Sequence, residues 1–273
     1  MLTIIYLYVI IKMTKKYFWE DTKMPRKLRP VDESLFKTEP CITRYPETIL
    51  SRKDVPYRSA LTFNAGVLKR DNGEYVMIFR NDIGDYDKQI LEGTNLGLAF
   101  SNDGIHWKVE PEPCFAMKDD EIMRVYDPRI TEIDGEYCIC FAVDTKHGVC
   151  GGMATTKDLK NFDVKSISVP ENRNMVLFPE KINGNFVRLE RPMPVYTRGG
   201  KDRFDIWLSE SPDLVYWGKS RLVMGVEDVP FANDKIGPAA QPIKTEKGWL
   251  TTFHAVELDT TRGKNGWEDS WQK

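Results

Sequence analysis

FNAGVLKRDNGEYVMIFR, residues 63–80, consists of two alternating apolar runs joined by a polar turn that contains Asn-Gly. An Asn-Gly pair between strand-like runs reads as a tight hairpin, because both residues accept the positive φ the turn demands. The pattern returns in DPRITEIDGEYCICFAV (127–143), PEKINGNFVRLER (179–191) and QPIKTEKGWLTTFHAV (241–256), with DG, NG or KG at the turn. A second element, strand then polar turn then aromatic then strand, follows three of the four: LGLAFSNDGIHWKVE (96–110), GGMATTKDLKNFDVK (151–165) and DIWLSESPDLVYWGKS (205–220).

Together the two elements make a four-stranded antiparallel unit. It opens at Asn64, Asp127, Pro179 and Pro242, at spacings of 63, 52 and 63 residues. That is the period of a propeller blade, and no stretch of helical periodicity exceeds about two turns. The expectation is an all-β propeller of three complete units and the first hairpin of a fourth. The chain then reaches GKNGWEDSWQK without the strands that should complete that unit. An open ring exposes sheet edges, so the sequence reads as truncated within its C-terminal blades.

The first residues, MLTIIYLYVIIKM, are apolar but too short to span a bilayer, and lysines follow them instead of preceding them. Residues 1–24 are therefore expected to be an extension from a start codon placed too far upstream, with Met13 or Met24 as the true start and 25–273 as the propeller. The expected location is cytoplasmic. A net charge of −2 and 29% charged residues give no basic surplus, which argues against nucleic acid or an anionic membrane as partner. Five cysteines, an odd number with no CxxC, argue against a zinc site or a disulfide framework; Cys138 and Cys140 share one strand face and read as core thiols. The tryptophans, concentrated after residue 100, read either as sugar platforms or as core filler.

Propellers place ligands where the innermost strands meet the central channel. The polar residues at the repeat openings are the candidates: Asn64 and Arg80, Asp127 and Arg129, Glu180 and Lys181, Arg188, Glu190 and Arg191, and His254. Asp127 stands out, because Pro128 biases it away from helix and gives its carboxylate a fixed direction; the alternative is a turn cap that starts a strand. Arg173, Asn174, Arg191, Lys235 and His254 form a cationic set. If these converge they make a phosphate site, because guanidiniums bind oxyanions through paired hydrogen bonds; if not, they are independent surface residues.

YDPRIT (126–131), LFPEKINGNFVRLERP (177–192) and KIGPAAQPIKTEKGWLTTFHAV (235–256) resemble, in order, the motifs of glycoside hydrolase family 130. The resemblance runs from about Asn64 to the end. It implies a five-bladed β-propeller and, for most members, inverting phosphorolysis of β-mannosides, with some β-1,2-mannosidases among the hydrolytic branches. It implies Asp127 as proton donor, acting through the mannose 3-hydroxyl. It also implies Arg173, Asn174, Arg191, Lys235 and His254 as the phosphate set, and Asn64, Arg80 and Arg129 as sugar-binding residues. Arg173, Arg191, Lys235 and His254 lie 46, 64, 108 and 127 residues beyond Asp127, as the family pattern expects. No metal or organic cofactor is implied; inorganic phosphate is a co-substrate, a β-mannoside oligosaccharide is the partner, and a homo-oligomer is an open expectation, since propellers of this family often assemble. Two features depart from the pattern: Ala255 follows His254 where many members have Gly, and the fifth blade is missing. The rival readings are a β-mannosidase, an inactive truncated propeller, and a propeller serving only as an interaction module.

Overall fold

The computed structural model describes residues 7–11, 43, 45–88, 90–193, 204–230 and 232–256. Four four-stranded sheets are present among them. Blade I is β2 (Leu61–Lys69), β3 (Tyr75–Asp85), β4 (Ile90–Ser101) and β5 (Lys108–Val109). Blade II is β6 (Ile122–Ile133), β7 (Glu136–Thr145), β8 (Gly148–Thr156) and β9 (Asp163–Ile167). Blade III is β10 (Asn172–Leu177), β11 (Phe186–Pro192), β12 (Ile206–Ser211) and β13 (Gly218–Met224). Blade IV joins β14 (Lys235–Pro238) and β15 (Ile243–Thr245) to one side of β16 (Gly248–Val256), with β1 (Leu7–Ile11) on the other side. The fifth sheet expected from the resemblance has no counterpart among the described residues. Residues 12–42, 257–273 and Trp267 and Trp271 with them lie outside that set.

The repeat was legible where the turn chemistry is strict. Asp134 and Gly135, at φ 54° and 78°, close the β6–β7 hairpin, and both positive values are what a two-residue turn there requires. Blade III differs from expectation. Its inner strand is Asn172–Leu177, ahead of Pro179, while Asn183 and Gly184 close only the single Ile182–Asn185 bridge. Pro179 has no N–H to give a ladder, so the apolar run before it makes the strand. In blade IV the inner strand is split, β14 pairing the far half of β16 and β15 the near half.

A second repeat governs the outer turns. Asp103, Asp158 and Asp213 stand 55 residues apart, each two residues after a Ser or Thr. Each Oδ1 accepts two backbone N–H groups: Ile105 and His106 at 2.8 Å, Lys160 and Asn161 at 2.9 and 2.8 Å, Val215 and Tyr216 at 2.9 and 3.0 Å. Trp107 and Trp217 close the same turns, donating Nε1–H to Gly104 O and Leu214 O at 3.1 Å. Trp249 meets Phe178 edge to face at 5.0 Å. These three tryptophans belong to the fold.

The apolar contacts run between blades. Val76, Ile78, Leu96 and Leu98 of blade I pack with Ile139, Phe141 and Val143 of blade II. Cys138, Cys140 and Met153 pack with Met175 and Leu177, and Leu189 and Leu208 with Ile236 and Phe253. A strand buried on both faces loses alternation, which explains continuous runs such as VMIF at 76–79. Among the described residues no helix is long and apolar enough to cross a membrane.

Candidate active site

Three inner strands break register at the same place. In β2 the pairing jumps from Phe63–Arg80 to Gly66–Ile78, in β6 from Tyr126–Ala142 to Arg129–Cys140, and in β10 from Arg173–Arg191 to Val176–Leu189. Each break is a bulge of two residues opposite one, and the first bulged residue is left-handed: Asn64 at φ 48°, Asp127 at 52°, Asn174 at 57°. Asn and Asp are the side-chain-bearing residues that tolerate this conformation best. One device thus turns aside the same blade position three times, and it selects Asn64, Asp127 and Asn174.

The Asp127 carboxylate is held from blade I. Asn64 Nδ2 donates to Asp127 Oδ1 at 2.8 Å, and Arg80 Nη1 lies 3.6 Å from the same oxygen. Arg80 is itself fixed by Asp82, through Nε at 2.6 Å and Nη2 at 3.0 Å, and its guanidinium lies over the rings of Phe63 (4.3 Å) and Tyr126 (5.0 Å). Asp144 plays the corresponding part in blade II, accepting from the Tyr126 hydroxyl at 2.6 Å and from Arg124. The sequence reading did not single out Asp82, Tyr126 or Asp144; the two-residue strand period linking Arg80 to Asp82 was the available signal.

The cationic set converges. Arg173 and Arg191 are cross-strand partners, and Arg191 Nη1 donates to His254 Nε2 at 3.2 Å. That bond leaves the neutral imidazole its proton on Nδ1. Gly237 pairs with His254, and a Cβ there would stand 2.6 Å from the ring and 3.1 Å from Arg191 Nη1, so only glycine admits both. Lys235 opens the same strand, 3.5 Å from Asp234. Burial, then Arg173, push the Arg191 guanidinium down to about 9, still cationic at neutral pH, while Asp234 and Asp127 pull it upward. Burial lowers Lys235 as well, with Arg191 and Arg173 adding to the effect. The Nε atoms of Arg173 and Arg191 are buried without a hydrogen-bond partner among the described residues. Cations gathered with unmet donors make a site that favours an oxyanion.

His254 reports on this field. Burial first, then the charges of Arg191, Arg129, Arg173 and Lys235, press it from 6.5 to about 3. The unfolded chain takes up a proton near pH 6.5 while the folded one does not until about pH 3, so this residue's contribution to stability is lost as pH falls between those values. Denaturant unfolding from pH 7 to 4 is expected to show a steeper acid loss in the wild type than in His254→Gln. Inorganic phosphate, by adding negative charge beside the ring, should flatten the difference. Equal slopes in the two proteins would show that neither burial nor the surrounding cations hold His254 neutral.

Arg129 adds its charge to His254 but makes its hydrogen bonds elsewhere. Its Nε donates to Ala239 O at 2.6 Å, linking blade II to the break between β14 and β15, and its Nη1 donates to Pro128 O at 2.8 Å. With Asn64–Val67 and Ala239–Gln241 it lines a cavity of about 260 Å³. Glu180 and Lys181 face outward instead, paired with Lys244 at 2.5 Å and Asp134 at 2.8 Å.

Comparison with known proteins identifies the family. Residues 36–267 match the family model of glycoside hydrolase family 130, described as beta-1,4-mannooligosaccharide phosphorylase. A beta-1,4-mannooligosaccharide phosphorylase of Ruminococcus albus is 35% identical over 228 residues, 79% of this chain and 64% of that protein. A beta-1,2-mannobiose phosphorylase of Listeria innocua is 33% identical over 161 residues, 58% of this chain and 44% of that protein. The solved structure of beta-1,2-mannobiose phosphorylase from Listeria innocua superposes with a TM-score of 0.62 at 26% identity, covering 72% of this chain and 68% of that one. The chain thus spans about half to two thirds of the length of these first two relatives. With its fold, motif order and family match in agreement, the chain belongs to glycoside hydrolase family 130.

Proposed function

We propose that the chain carries the catalytic centre of an inverting β-mannoside phosphorylase, yielding α-mannose 1-phosphate and a shortened sugar. The observation that carries this is the convergence of Arg173, Arg191, Lys235 and His254, with the Asp127 carboxylate acting on the same Arg191. An inverting hydrolase needs a second carboxylate to activate water. Asp127 has its own cation, Arg80 at 3.6 Å, but Asp82 and Asp144 are bound far more closely, Asp82 by Arg80 at 2.6 Å and Asp144 by Arg124 and the Tyr126 hydroxyl, which leaves neither free to activate water. Phosphate is already an anionic nucleophile, and the cations would hold it in line with the anomeric carbon.

In this reading a phosphate oxygen attacks the anomeric carbon as the glycosidic C–O bond breaks. Asp127 gives its proton to the mannose 3-hydroxyl, which passes its own to the departing oxygen. The names of the phosphorylase relatives support the substrate class. Cytoplasmic placement belongs to the same proposal, supported by four free thiols at Cys114, Cys138, Cys140 and Cys150.

The test is release of mannose 1-phosphate from β-1,4-mannosyl-glucose and from mannobiose, with and without inorganic phosphate. Product that appears only with phosphate is expected. Free mannose formed regardless of phosphate would move the chain to the hydrolases.

A further inference from the structure

The three bulges are alike in backbone but not in the residue that faces them. The single residue opposite each bulge is Phe79 in blade I, Phe141 in blade II and Glu190 in blade III. Both phenylalanines are buried in apolar surroundings. Glu190 is equally deep, at 5% exposure, and a buried carboxylate is costly unless it is paired and hydrogen-bonded. Here it is paired through one oxygen, Oε2. Arg188 reaches it through Nε at 2.9 Å and Nη2 at 2.8 Å, and Asn172 Nδ2 donates to it at 3.0 Å. Arg188 also donates to Ser209 Oγ at 3.1 Å and lies 3.9 Å over the Trp217 ring, so the pair is braced from β12 and from the outer turn.

Asn172 is the first residue of β10; it precedes Arg173, the last paired residue before the bulge at the cationic site, and Asn174, which begins that bulge. An apolar residue at 190 would fill the space but give Asn172 nothing to bond. We infer that Glu190, held by Arg188, is a positioning residue that acts through Asn172 to set the direction of Arg173 and Asn174 toward a bound oxyanion. The inference rests on the reading of this cluster as a phosphate site. It explains why one blade of three spends a buried ion pair where its neighbours use phenylalanine.

The test is titration calorimetry of inorganic phosphate onto the whole chain, with no sugar present, alongside phosphate and mannoside KM values. Three proteins are compared with wild type: Glu190→Gln, the apolar pair Arg188→Met/Glu190→Leu, and Asn172→Ala. Replacing both partners of a buried pair by apolar side chains often leaves stability intact, so the double variant separates positioning from folding. The expected result is phosphate binding at least about tenfold weaker in the double variant and in Asn172→Ala, which leaves the ion pair whole but removes the link, and at least about threefold weaker in Glu190→Gln, whose amide oxygen can still accept from Asn172. Phosphate KM should rise in step, with mannoside KM unchanged. Wild-type affinity for phosphate in Asn172→Ala and in the double variant would overturn the positioning role while leaving the phosphate reading in place. Absence of phosphate binding by the wild type itself would overturn the phosphate reading, and this inference with it.

Discussion

Asp127→Asn should lower phosphorolysis of a β-mannoside about a hundred- to ten-thousand-fold, the range typical for losing one general acid, while leaving the binding of inorganic phosphate within about twofold of wild type. The substitution is nearly isosteric, and the left-handed backbone at φ 52° suits asparagine as well as aspartate. Neither the bulge nor the fold therefore has reason to change. What changes is the proton. The carboxylate accepts from Asn64 at 2.8 Å with Arg80 at 3.6 Å, and an amide in its place has no acidic proton to deliver. Phosphate affinity is the control, since Arg173, Arg191, Lys235 and His254 are untouched. A variant retaining full phosphorolysis would remove Asp127 from the reaction. A variant that loses phosphate binding along with turnover would show that the charge of Asp127, which acts on Arg191, matters more than its proton.

How far the sequence led can be seen at particular residues. The hairpin at Asp134–Gly135 was readable because few residues other than Asn, Asp and Gly adopt consecutive positive φ values. The same rule misled in blade III. Asn183–Gly184 is a genuine tight turn, but it sits in the connection, and the inner strand is the MVL run at 175–177 with its preceding polar residues. The candidate acid and the cationic set were legible through motif order, yet their convergence was not. It depends on two features without a one-dimensional signature: the register jump between Arg173 and Val176, and the glycine at 237 that lets His254 approach Arg191. The tryptophans illustrate the opposite case. Their abundance was compatible with sugar stacking, but Trp107 and Trp217 close outer turns, where each indole N–H meets a backbone carbonyl.

Arg191→Met is expected to raise the phosphate KM about ten- to a hundred-fold and, unusually for a buried arginine, to leave the phosphate-free protein no less stable. Hydrogen bonds to charged groups are worth about 1.5–3 kcal/mol each, and about 1.4 kcal/mol is a factor of ten in affinity. A single lost contact to phosphate therefore accounts for that range. The stability argument runs the other way. Arg191 is 2% exposed and stands beside Arg173, and its hydrogen bond goes to a neutral ring nitrogen. Such a charge is held for the ligand at a cost to the empty fold, the usual trade of a functional site. Methionine keeps much of the stem volume and removes the repulsion. It also removes the second-largest influence lowering His254, so the imidazole should protonate at a higher pH and the loss of stability on acidification should begin from a narrower gap. Melting temperature without phosphate, phosphate KM, and unfolding free energy at pH 7 and pH 5 measure the three consequences. A steep fall in melting temperature with phosphate KM unchanged would make Arg191 a structural ion, and the oxyanion would then have to be held by Arg173, Lys235 and His254 alone.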